Sequence, residues 1–120
     1  MNKKFYEDLI RGYAKSHQIH LLYPDPNPGR NEAGQCRRTI WVGRFDNGEE
    51  LLAAFFHEVG HCSDLRTKIA RNHRFPRFEY ELRAWTVGFQ KMHEFGVDAT
   101  KRMYRYMMKC LNKYNRKDNK

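Results

Sequence analysis

Apolar side chains at Phe5, Tyr6, Leu9, Ile10 and Tyr13 fall three and four residues apart, a spacing that predicts a helix with one apolar face over about Lys3–Ser16. "QIHLLY" then favours a short strand. From Pro24 to Gln35, "PDPNPGRNEAGQ" sets three prolines at alternate positions and adds two glycines. It reads as loop, because proline breaks a helix and lacks the amide that a strand ladder needs. "RRTIWVGRF", Arg37 to Phe45, is rich in β-branched and aromatic residues and predicts a strand; on one of two readings it is an ordinary core strand anchored by Trp41. After the turn "DNGEE", a helix is expected from about Glu49 to Thr67. Its Leu51, Leu52, Phe55, Phe56 and Val59 cover so broad a face that it must be largely buried.

A basic connector, "RTKIARNHRF", leads to Pro76, which suits the first turn of a helix over about Arg77–Phe95. Gly96 reads as its C-terminal stop and Asp98 as the N-cap of a last helix, roughly Ala99–Tyr114. Met103, Met107, Leu111 and Tyr114 form the apolar stripe of that helix, with Met108 also assigned to core packing, and the tail 115–120 reads as frayed. The expectation is one α+β domain over 1–120: a small sheet packed on two central helices, with helices flanking it at both ends.

At 40% apolar and 14% aromatic residues, the chain has the means to bury a core. Charges interrupt every apolar run near the N-terminus, so neither a signal peptide nor a membrane span is expected. Cys36, Cys62 and Cys110 are odd in number and far apart, a poor disulfide framework that fits a reducing, cytoplasmic setting; Cys36 and Cys62 read as buried free thiols. The net charge of +9 adds an attraction to nucleic acid or to an acidic protein, with Lys101, Arg102, Arg105, Lys109 and Lys113 of the last helix as the candidate surface.

Chemistry enters with "FFHEVGHCSD", Phe55 to Asp64. On a helix, His57 and His61 stand one turn apart on one face and can reach one ion, while Glu58 points beside them. Two imidazoles and a carboxylate buried together are costly unless each finds a partner, and a zinc ion would be such a partner. In this HExxH arrangement the ion stays electrophilic, and the glutamate draws a proton from the attacking water and passes it to the leaving amine. Gly60 costs about 1 kcal/mol against alanine inside a helix, which suggests that another backbone or a wall of the metal site passes close by. A third protein ligand is required. The pattern HExxHxxGxxH is excluded, since Asp64 and Thr67 stand where it needs glycine and histidine, leaving His73, Glu79 and Glu81.

"EYELRAW" carries Glu81-Leu82-Arg83-Ala84, and with "HEVGH" it resembles the gluzincin group of zinc metallopeptidases, in which a second helix bears a glutamate ligand in an ExxA setting. The similarity, over about Arg37–Phe95, is to the minimal cores of bacterial and phage-encoded peptidases, including the ImmA/IrrE type. It implies a zincin-like fold, peptide hydrolysis with Glu58 as general base, and zinc held by His57, His61 and Glu81, with Glu79 as the fallback ligand. It also implies a close approach of the two helices at Ala84, the host cytoplasm as location if the chain is phage-encoded, and a polypeptide substrate paired along the strand at 39–43. Trp85 departs from the family pattern, and no oxyanion-stabilising residue is selected among His93, Tyr80, Tyr104 and Tyr106. Asp64 shares the histidine face and is either the carboxylate that fixes a ligand tautomer or an exposed helix-end residue. Two other readings stand beside this one: a SprT-like protease acting on DNA-bound protein, with His73 as a ligand, and a basic nucleic-acid- or protein-binding module whose zinc site is structural or vestigial.

Overall fold

A computed structural model describes residues 2–26, 29–63 and 77–118 of the chain, with side chains up to 114. The elements are α1 (Lys3–Ser16), β1 (His20–Leu22), β2 (Ala33–Cys36), β3 (Thr39–Val42), α2 (Gly48–Ser63), α3 (Arg77–Glu94) and α4 (Lys101–Asp118). Among the described residues these form a small α+β assembly of four helices and a three-stranded mixed sheet. No helix among the described residues is long and apolar enough to cross a membrane.

Two elements differ from the sequence expectation. Ala33–Cys36 is a strand and not the end of a loop. It has no β-branched residue, and pairing with β3 defines it: Ala33 opposite Val42, Gly34 opposite Trp41, Gln35 opposite Ile40 and Cys36 opposite Thr39. The two-residue connection uses Arg37 at φ 56° in place of the usual Asn-Gly, so the common hairpin signal is missing. The expected strand at 37–45 accordingly shortens to Thr39–Val42. The second difference is order. β3 lies between β1, which it meets in parallel, and β2, which it meets antiparallel. Both edges of β3 are therefore occupied, and it offers none to a peptide at 39–43.

Caps fix the helix ends. The Asn2 side chain accepts from the Phe5 amide at 3.1 Å and that of Asn47 from the Glu50 amide at 3.0 Å. α3 ends in a Schellman motif: Gly96, at φ 94°, donates to His93 O at 2.9 Å, and Val97 donates to Met92 O at 3.1 Å. The cap of α4 is Thr100, whose hydroxyl accepts from the Met103 amide at 3.2 Å. Asp98, the expected cap, instead accepts from His93 Nδ1 at 2.7 Å. α4 also runs on as helix to Asp118, beyond the last apolar stripe residue.

The core sits where α2 meets everything else. Leu51, Leu52, Phe55, Phe56 and Val59 are buried with Ile10 and Tyr13 from α1, Ile40 and Val42 from β3, Trp85 and Met92 from α3, and Met103 and Leu111 from α4. Trp41, the expected anchor, is only half-buried and covers Gly34 on the neighbouring strand; Ile40 and Val42 take the interior instead. Cys36 is exposed and Met108 half-exposed, against the expectation of burial for both.

Candidate metal centre

α2 and α3 cross in backbone contact. A Cβ on Gly60 would overlap the carbonyl oxygen of Ala84, and one on Gly88 would overlap that of Phe56. Gly60, Gly88 and the small Ala84 are what let the helix axes approach this closely. The contact sets His57 and His61 of α2 directly opposite Glu81 of α3. Glu81 Oε1 lies 2.9 Å from His57 Nε2 and 3.2 Å from His61 Nε2. Three potential donors thus converge, all within 4.8 Å of one another, and the group can hold a metal ion. Donors about 2.0–2.1 Å from a tetrahedral ion stand about 3.3 Å apart, and the separations of Glu81 Oε1 from the two histidine nitrogens, 2.9 and 3.2 Å, lie within a few tenths of an ångström of that spacing.

The surroundings are dry and oriented. Glu58, His61 and Glu81 are 7%, 6% and 3% exposed. The His57 ring stacks on Trp85, with centroids 4.3 Å apart and planes within 11°, and the His61 ring lies 4.9 Å from Tyr80. Arg77, one turn before Glu81, brings Nε to 3.4 Å from Glu81 Oε2, and its guanidinium lies over the rings of Tyr80 and Tyr114. Oε1 is thereby left facing the imidazoles while Oε2 is held by a cation.

Glu58 is not among the converging donors. Its Oε2 lies 3.2 Å from His57 Nδ1, on the ring edge away from Glu81. In this rotamer Glu58 fixes the orientation of His57 as a carboxylate behind a ligand histidine does. Burial opposes a charge on His57, but the hydrogen bonds and negative charges of Glu58 and Glu81 outweigh it and lift its pKa to about 9. Burial likewise opposes ionisation of Glu81, and the hydrogen bonds from the two histidines reverse this and hold its carboxyl far below the ordinary range. Without a metal, a proton on His57 supplies positive charge facing Glu81 Oε1; a metal ion held by the same donors would have to displace it.

Of the three possible third ligands, Glu81 is turned into the contact, Glu79 is exposed, and His73 lies outside the described residues, as does Asp64 with its proposed orienting role. Among the oxyanion candidates, Tyr80 touches His61 and Tyr106 packs on Trp85, whereas Tyr104 is half-exposed and His93 sits at the exposed end of α3. The orienting roles of Trp85 and Arg77 carry no motif, and Tyr80 enters the sequence reading only as an oxyanion candidate. A helical signal for the first two was present: Arg77, Glu81 and Trp85 are spaced by four and share one face.

No family model, no curated protein and no solved structure matches the chain.

Proposed function

We propose that the chain is a small zinc-dependent metallopeptidase with a zincin-like arrangement, in which His57, His61 and Glu81 hold the ion and Glu58 is the general base. The observation that carries this reading is the convergence of both histidine Nε2 atoms on one oxygen of Glu81 across the α2–α3 contact. Two imidazoles with one carboxylate are a donor set used by hydrolytic zinc sites, where a further position stays open. A zinc ion bound there would acidify water and polarise a peptide carbonyl. His57 is steadied for ligation by its stack on Trp85, and Glu81 is kept to one facing oxygen by Arg77. Glu58 takes the proton of the attacking water and returns it to the leaving amine, for which its carboxylate turns from His57 Nδ1 toward the substrate face. The peptide would pair with the outer edge of β2, which no described strand occupies and whose Gln35 meets Cys62, the residue after His61.

The present position of Glu58 behind His57 favours a second reading, an ion held for structure without hydrolysis. Purified protein is expected to contain about one zinc per chain, lost in Glu81→Ala and retained in Glu58→Gln. Cleavage of an unfolded protein substrate is expected to fall by about 10²–10⁴-fold in Glu58→Gln. A full zinc complement in Glu81→Ala would remove Glu81 from the ligand set. Retained zinc without cleavage by the unaltered chain would favour the structural reading.

A further inference from the structure

The other concentrated feature of the molecule is the outward side of α4. This helix holds seven lysines and arginines against one aspartate, a surplus of six within a chain of net +9, so most of the charge imbalance lies on one element. Arg102 is committed to Glu50 at 3.2 Å. Lys101, Arg105, Lys109 and Lys113 are exposed, and no carboxylate among the described residues pairs with them. They recur every four residues, a slowly turning row of cations about 6 Å apart along the axis.

A second surface adjoins this row. Tyr104 and Met108 are each 50% exposed in a helix whose inward Met103 and Leu111 are 0% and 1% exposed. Tyr104 lines two adjacent grooves. One is cationic and runs along α4 past Arg105, Lys109 and Lys113; the other, between α3 and α4, is lined by Leu82, Phe89 and Met107 together with the polar Gln90, His93 and Asp98. Phe89 meets Tyr104 edge-on, with ring centroids 5.3 Å apart, so the tyrosine stands on a support at the boundary between the grooves. Insertion into a membrane does not fit this face, because the apolar stripe that would enter the lipid is already in the core. A strip of cations beside an exposed aromatic platform is the combination that holds a single strand, phosphates on one side and a stacked base on the other.

We propose that the outward face of α4 binds single-stranded nucleic acid, with Lys101, Arg105, Lys109 and Lys113 on phosphates and Tyr104 as a stacking platform for a base. This holds whether or not the metal centre is catalytic. Fluorescence anisotropy with a labelled mixed-sequence oligonucleotide of about 12 residues, as DNA and as RNA, tests it between about 50 and 200 mM salt. Both strands are expected to bind, with log K falling against log salt at a slope of roughly −3 for four phosphates. The triple variant Arg105→Ala, Lys109→Ala, Lys113→Ala should reduce that slope to roughly −1. Tyr104→Ala should weaken binding about fivefold or more at an unchanged slope, and Tyr104→Trp should restore it. Circular dichroism and Tm matching the parent protein establish that these surface variants fold. No binding at the lowest salt, or a triple variant that binds like the parent, overturns the proposal. So does a duplex of the same sequence bound as tightly as the single strand with Tyr104→Ala neutral, since phosphate attraction alone would then suffice. Polyglutamate competing as well as the oligonucleotide overturns it in favour of an acidic protein partner.

Discussion

α2 and α4 both carry polar side chains among apolar ones, and they dispose of them in opposite ways. α2 is buried nearly all round, and His57, Glu58 and His61 lie inside against α3. α4 turns one stripe inward and leaves its cations in water. In the first helix each polar group must meet a partner, because an unpartnered charge in a dry site is costly. Geometry there is dictated to the ångström by neighbours. In the second, water satisfies the charges, and the face constrains what the protein meets rather than how it folds. Position in the fold, more than residue type, therefore decides whether a polar group informs about structure or about association.

The difference can be attacked first where it is largest. Gly60→Ala puts a methyl group into the Ala84 carbonyl and should force α2 and α3 apart, lowering stability by about 2–3 kcal/mol and Tm by on the order of 10 °C, as read by thermal melts. An unchanged Tm would mean that the helices do not touch there.

A middle-sized effect comes from pH. The pKa of His57 is raised from its ordinary 6.5 to about 9, so its contribution is fully present below pH 6.5 and is lost as pH rises through about 9. Glu81 has a depressed pKa, so its contribution is present above its ordinary 4.5 and is lost as pH falls well below it. Protein stripped of metal by chelation should consequently lose Tm between pH 6.5 and 9, while metal affinity rises over the same interval as the proton leaves His57. A flat Tm profile across that window would disprove the buried His57–Glu81 pairing.

The smallest effect belongs to the exposed helix. Arg102→Ala removes a surface ion pair with Glu50 and should cost less than about 1 kcal/mol, with the residual difference shrinking in salt. A larger loss in urea melts would show that α4 is held to the body by charge as well as by Met103 and Leu111.

Much of this was legible in the chain because it depended on local rules. The four helices follow from apolar spacing, and Gly96 stops α3 because its positive φ is one that glycine adopts readily. The HExxH pair follows from two residues one turn apart. Strand β2 was not legible, since "AGQC" has no strand preference of its own and owes its conformation to β3. The cap of α4 was misassigned between Asp98 and Thr100, both good capping residues, because His93 competes for the aspartate.

By itself the sequence determined the periodicities, the breaks between helices, and the presence of two histidines and a glutamate able to share an ion, all consequences of backbone geometry over a few residues. Only the tertiary structure decided that Glu81 turns inward and Glu79 outward, that Glu58 stands behind His57, that Trp85 and Arg77 orient the cluster, and that β3 lies in the middle of the sheet. The reason is that these depend on which backbones come within contact distance. The α2–α3 approach at Gly60 and Gly88 brings together residues twenty or more positions apart; Gly60 hints at a close neighbour, but which backbone it meets is not encoded locally.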